Sequence, residues 1–393
     1  MRRIPLTPRA DWQALARTAG FDFHSPDGTV YWREDVAYAF ELAPLEKEVE
    51  DATAEIQGLL MQTVEHVLQR DELLDRFRIP VEHRGLVRDS WASGQKDLYT
   101  RLDLAWTGEG PAKLLEVNGD TPTALYEAAI FQWLWFEQLA EAGQLPGAAP
   151  DQLNSLHEAL VWAFGHMDLG QGPLHLTCVR NHPEDEGTVR YLQETAEEAG
   201  LATAFLYVDE IGVDQQGRFL DQDDRPITAL FKLYPWEDLL REEYAAHIAR
   251  SGCRLIEPPW KMLLSNKAIL PVLAELFPGH PNLLEAYFAD DPRAAALGSD
   301  YVEKPLFGRE GQGIRRIERG TETLSMPSER YGPEGHIRQA LTTIASFPEG
   351  EGRVWAVIGS WIVAGKPCGI GIREGDTAIT DDAARFVPHF ITG

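Results

Sequence analysis

The chain has 393 residues, with 36 lysines and arginines against 62 aspartates and glutamates, a formal net charge of −26. Hydrophobic residues make up 44% and charged residues 25%, a globular composition that can bury a large core and excludes extended disorder. The acidic balance argues against duplex nucleic acid and anionic membrane surfaces, since both need lysine and arginine at the contact.

Cys178, Cys253 and Cys368 lie far apart with no C-x-x-C pair, so they form neither a disulfide framework nor a zinc site by themselves. The N-terminal MRRIPLTPRADW lacks the apolar run of a signal peptide. No stretch approaches the roughly 20 apolar residues of a membrane span. The expectation is a cytoplasmic protein with neither membrane nor nucleic acid as partner.

Val49, Ile56, Leu59, Leu60, Val64, Val67 and Leu68 recur at helical spacing, which predicts one or two amphipathic helices between Leu42 and Phe77. Residues 98–118 alternate apolar and polar around TGEGPA and read as a β-hairpin. Thr123 to Ala142 reads as a buried, aromatic-rich helix. From Gly172 the pattern becomes strand (LHLTCV), helix (VRYLQETAEEAG), strand (ATAFLYV), then a small hairpin and another strand, the order of a parallel α/β unit. Helices are expected at Glu237–Ser251 and Asn266–Phe277, with a kink or restart at Pro271. The last third reads as antiparallel β with one helix around His336–Ser346. The whole is α+β: a core of residues 1–125 and 255–393, with an α/β insert over 126–254.

Two features carry chemistry. On the strand YTRLDLAW, Arg101 and Asp103 share a face; on KLLEVN, Glu116 and Asn118 do. A turn centred between Glu109 and Gly110 sets Asp103 opposite Glu116 and Arg101 opposite Asn118. Opposed carboxylates repel. A divalent cation between them removes that problem, and the Asn118 carbonyl is a further hard ligand suited to magnesium. The alternative is a solvated polar face in which Arg101 neutralises both acids.

The second feature is YVEKPLFGREGQGI. Lys304 ends a strand, and Gly308, Gly311 and Gly313 follow in a loop that lets backbone N–H groups approach phosphate oxygens. An ordinary glycine-bearing hairpin turn is the other reading. There is no G-x-x-x-x-G-K-[ST] and no kinase signature. Lys267 opens a helix and Arg373 lies between glycines on a late strand; each is either a phosphate ligand or a surface charge.

Taken together, RLD at 101–103, LLEVNGDTPT at 114–123, YPWE at 234–237, SNKAILP at 265–271, EKPLFGREGQG at 303–313, RQAL at 338–341 and GIGIRE at 369–374 resemble the synthetase domain of glutathionylspermidine synthase and its stand-alone acid–amine ligase homologues. The resemblance runs from about residue 95 to the C-terminus. It implies a circularly permuted ATP-grasp fold with a pre-ATP-grasp-like insert. It also implies a ligase that forms an amide through an acyl phosphate. By motif match, Asp103, Glu116 and Asn118 would bind two magnesium ions. Lys267, Lys304, Gly308, Arg309, Gly311, Gln312 and Gly313 would hold the ATP phosphates, with Gln339, Ala340 and Leu341 at adenine. Arg373 would stabilise the transferring phosphoryl group, Arg101 would contact phosphate or the acid, and Asp120, Thr121 and Thr123 would line the substrate pocket. The expected partners are a small-molecule carboxylate (peptide or amino acid) and an amine. Threonine stands at 121 and 123 where the characterised synthetase has serine, and Val117 and Gly119 also depart from it, which bears on the substrate. No cysteine precedes the hairpin, so the amidase activity of the two-domain relative is not expected. The competing reading is a module that senses ATP or polyamine without ligating anything.

Overall fold

Three sheets position the site in the computed structural model, which describes residues 1–393 apart from the side chain of Asp27. The central one is antiparallel, in the order Arg385–Val387, Lys366–Gly375, Gly352–Val363, Tyr99–Ala105, Lys113–Asn118, with Ala345–Glu349 also pairing Gly352–Val363. The hairpin has the register its alternation predicts, Arg101 opposite Asn118 and Asp103 opposite Glu116. Leu104 then pairs with Leu114, so Leu115 is the extra residue of a bulge. Opposite Asp103 on the long strand is Gly359; a Cβ there would lie 2.9 Å from Cδ of Arg101, so glycine lets the arginine lie flat across the sheet.

The long helix runs Leu42–Leu45, through a π-type turn at Glu46–Glu50, into Asp51–Leu68, and Asp71–Arg76 forms a second. Val49, Ile56, Leu60, Val64 and Val67 are fully buried against the sheet and Leu68 is buried with them, the face their spacing defines, while Leu59 at its edge is half-buried. The aromatic-rich helix is displaced by only a few residues from expectation, a π-type turn at Glu127–Phe131 leading into Gln132–Glu141.

The second sheet is parallel throughout, in the order Arg254–Ile256, Ala229–Leu233, Leu174–Cys178, Thr203–Tyr207, with helix Pro183–Glu198 crossing between the last two. This is the α/β unit its element order predicts. The third sheet is antiparallel: Ala286–Phe288, His336–Ala340, Tyr301–Pro305, Arg315–Glu318, Thr321–Ser325.

Three expectations are corrected. No helix covers His336–Ser346; His336–Ala340 and Ala345–Glu349 are strands. Ile337 and Gln339 are buried while their neighbours are half-buried, a period of two that belongs to a strand flanked on both sides. Glu237–Ser251 divides into Trp236–Leu239 and Ala245–Ser251, the chain between them folding over Tyr234, whose hydroxyl donates to Glu242. In Asn266–Phe277 the helix restarts at Ile269 after an extended Asn266. Pro271 thus falls in the first turn, where its missing N–H removes no hydrogen bond.

The N-terminal 41 residues contribute elements that no periodicity announced. Arg2–Pro5 pairs antiparallel with Val36–Glu41, which pairs parallel with His389–Thr392. An aromatic cluster that includes Phe21, Trp32, Phe131 and Phe386 packs this segment on the central sheet, and Trp361 is core. Among the described residues, no helix is long and apolar enough to cross a membrane.

Candidate functional site

A cleft, open at its mouth, lies between the central and third sheets. It is lined by Asp103, Glu116, Lys304, Gly311, Gln339 and Ala340, together with Thr342, Ile344 and Ala378–Thr380.

The hairpin acids meet four cations of the chain itself. Arg101 donates to both oxygens of Asp103, Nε–Oδ1 at 2.8 Å, and its Nη1 reaches the Thr123 carbonyl at 2.7 Å. Arg373 donates to the other side of Asp103. Lys267 lies 3.1 Å from Glu116 and also donates to the Gly308 carbonyl at 2.5 Å. Lys304 donates to the carbonyl of the bulged Leu115 at 2.8 Å. Burial alone would raise the Glu116 carboxyl, but Lys267, Lys304 and Arg373 hold it well below the ordinary range. Burial lowers the Lys304 ammonium to about 8, with Lys267 adding to the fall and Glu116 opposing it. The expectation that Asp103 and Glu116 repel unless a metal ion separates them is therefore corrected. Arginines and lysines already compensate both, and the alternative in which Arg101 neutralises the pair is realised at Asp103.

The Asn118 amide nitrogen is buried without a hydrogen-bond partner, so this side chain serves no structural bond. With Asp103 and Glu116 on the same face, it completes a hard-oxygen set that fits magnesium.

The glycine loop covers the cleft. Gly311 has φ +71°, and a Cβ on it would stand 2.8 Å from the Thr380 carbonyl oxygen, so both conformation and contact require glycine. Gln312 and Gly313 complete the turn before Arg315, and Gly308 supplies the carbonyl that Lys267 grips. Arg309 points away from the lysines: it pairs with Glu237 at 2.6 Å and donates to the Thr121 hydroxyl at 2.7 Å. Gln339 is pinned to the Leu114 carbonyl at 3.1 Å, and Thr342, not Leu341, lines the wall next to Ala340.

Of the residues expected at the substrate, Thr123 stands at the Arg101 end and Thr121 is held by Arg309. Asp120 is not brought to the cleft. It is fully buried, one oxygen on Lys232 at 2.7 Å and the other on the Trp236 backbone N–H at 2.7 Å. It ties the hairpin to the parallel sheet.

Four groups at the Arg101 end were not read from the sequence. Glu127 is fully buried and accepts from the Tyr31 hydroxyl. Glu184 and Asp185 are half-buried at the start of helix Pro183–Glu198; Glu184 faces Thr123, Arg101 and Glu310 of the glycine loop, and Asp185 faces Glu310 and Arg309. Burial raises all three carboxyls, Glu127 to about 8, and Glu184 adds to that rise. A carboxylate inside the apolar LYEAAIF was the available signal; Tyr31 had none.

The sequence profile described as glutathionylspermidine synthase preATP-grasp matches residues 3–392. A Haemophilus influenzae protein named provisionally as an acid–amine ligase is 37% identical, covering 99% of each chain. The bifunctional glutathionylspermidine synthetase/amidase of Escherichia coli is 28% identical over 88% of this chain and 58% of its own. Trypanothione synthetase of Crithidia fasciculata is 27% identical over 83% of this chain and 52% of its own. The chain thus spans little more than half the length of these last two. In structure it is similar to an apo glutathione synthetase-like effector from Globodera pallida, with a TM-score of 0.56, 12% identity and 98% coverage of both chains, a likeness of fold alone. The profile match over nearly the whole length and the relative at 37% identity place the chain in the glutathionylspermidine synthase family.

Proposed function

We propose that this protein is a magnesium- and ATP-dependent ligase that joins a peptide or amino-acid carboxylate to an amine through an acyl phosphate. Its core would be a permuted ATP-grasp of residues 1–125 and 255–393, with residues 126–254 inserted. One observation carries this reading: Arg101, Lys267, Lys304 and Arg373, from four distant segments, converge with Asp103 and Glu116 beside one glycine loop.

Phosphoryl transfer asks for charge neutralisation and positioning rather than a nucleophilic side chain, and this cleft offers those. Lys267 and Lys304 would hold the phosphates under the Gly308–Gly313 loop, and the wall at Gln339, Ala340 and Thr342 would take adenine. Asp103, Glu116 and Asn118 would hold magnesium, which when bound neutralises phosphate oxygens. Arg373 would follow charge onto the transferring group, while Arg101 would orient the acid. The acidic end at Glu184 and Asp185 suits a cationic amine, and the family relatives named for glutathionylspermidine synthesis make glutathione and spermidine the first pair to try.

The test is ADP release with a panel of acids and amines that includes that pair. Amide formation coupled to ADP supports the ligase. ATP binding without turnover for any pair would favour the sensing module instead.

A further inference from the structure

Amide formation leaves a proton to be removed from the attacking nitrogen, and none of the residues assigned to phosphate, metal or acid can accept it; Glu184 and Asp185 are assigned to the amine's positive charge. Arg101, Arg373 and the lysines are cations, and Asp103 and Glu116 are engaged by them. Tyr31 is placed differently. Its carbonyl accepts from the Phe386 N–H at 2.8 Å, and Phe386 pairs with Arg373 across the sheet, so the backbone sets Tyr31 one strand from Arg373. The ring is half-buried. Its hydroxyl donates to one oxygen of Glu127, whose other oxygen is buried with no partner. Glu184 faces this pair from helix Pro183–Glu198, Arg101 from the hairpin and Arg373 from the C-terminal strand. A carboxylate walled off from water behind a half-buried hydroxyl has the geometry of a relay, not of a surface ion pair.

We propose that the Tyr31 hydroxyl, backed by Glu127, takes the proton from the amine as it attacks the acyl phosphate. The inference rests on the ligase reading. The C–N bond forms as the bond from the carbonyl carbon to the phosphate oxygen breaks, and phosphate leaves with that electron pair. The surplus proton on nitrogen passes to the Tyr31 oxygen while the Tyr31 proton passes to Glu127. After product release the proton returns through Tyr31 to water. Burial and Glu184 hold Glu127 at about 8, close to neutrality, where a proton acceptor works best.

Hydroxylamine separates this role from packing, because it is a far weaker base than an alkylamine and its nitrogen gives up the surplus proton to water once it has attacked. Tyr31→Phe keeps the ring and should slow ligation of an alkylamine such as spermidine to glutathione by about 100-fold. Hydroxamate formation from glutathione and hydroxylamine should stay within about twofold of the wild type, because the hydroxyl is not needed there. Equal losses with both nucleophiles, or no loss with either, would overturn the relay. Glu127→Gln should abolish the rise in amine ligation as pH climbs through about 8, since Glu127 accepts only when ionised. A rise preserved in that variant would also overturn it. Wild-type protein that forms no hydroxamate with any acid of the panel would overturn the ligase reading, and the relay with it.

Discussion

Replacing Glu116 by glutamine distinguishes two accounts of the hairpin. If the opposed acids simply repel, the change should stabilise the protein. The geometry points the other way. At 3.1 Å, with an effective dielectric near 20, the attraction between Glu116 and Lys267 is about 5 kcal/mol, and Lys304 and Arg373 add to it. Glu116 is partly desolvated, and glutamine retains a hydrogen bond, so the net loss should be smaller, about 2–3 kcal/mol. Two buried ammonium groups would be left without a counter-charge.

Denaturant unfolding of the metal- and nucleotide-free protein, followed by tryptophan fluorescence, reads the difference at neutral pH. The pH dependence supplies an internal check. The folded-state pKa of Glu116 lies below its ordinary value of 4.5, so its contribution is fully present above that value and is lost as pH falls below it. The gap between wild type and Glu116→Gln should therefore close in acid. A variant as stable as the wild type at neutral pH, or more stable, would refute the reasoning and restore repulsion as the dominant effect.

Lys304→Ala should weaken ATP binding by about 1.5–3 kcal/mol, the worth of a charge-assisted contact, as calorimetry would measure. In the wild type, affinity should fall as pH rises past about 8, because free Lys304 loses its proton there and must recover it to meet phosphate. Arg373→Lys should lower kcat by at least about tenfold with ATP affinity little changed, since lysine lacks the planar fork that follows charge onto the phosphoryl group. Gly311→Ala forces a left-handed backbone on alanine and a contact with the Thr380 carbonyl, and should cost about 1–2 kcal/mol in ATP binding. Asp120→Asn strands the buried Lys232 and should destabilise by about 3–5 kcal/mol in chemical denaturation, with Lys232→Met in the same chain recovering part of the loss.

The hairpin was legible because period two decides both face and register, and the polar members of YTRLDLAW and KLLEVN had to lie together. The parallel unit was legible because strand–helix–strand order permits few topologies. His336–Ala340 was misread because GHIRQAL has too few apolar residues to separate the two periods; pairing on both sides, not local preference, makes it a strand. Asp120 sits two residues from Asn118 in a motif of exposed-looking polar residues. Only the approach of Lys232, more than 100 residues on, turns it into a buried tie. Tyr31 was invisible for the same reason, and its meeting with Glu127 depends on a C-terminal strand that pairs with the N-terminal segment.

Net charge misleads most about this cleft. A chain at −26 reads as hostile to anions, yet the described cleft brings four cations, Arg101, Lys267, Lys304 and Arg373, against two carboxylates, Asp103 and Glu116. The acids hold those cations in place before any ligand arrives, so a polyphosphate entering with its metal ion would meet oriented charges that need little rearrangement. The acidic surplus is local too: Glu127 and Glu184 gather near Arg101, with Asp185 next to Glu184 and facing the glycine loop. A cleft polarised in this way would sort its ligands by sign, phosphate toward Lys267 and Lys304, amine toward Glu184 and Asp185. The carboxyl group would then stand between them at Arg101, its oxygen toward the phosphate for the first proposed step and its carbon toward the amine for the second.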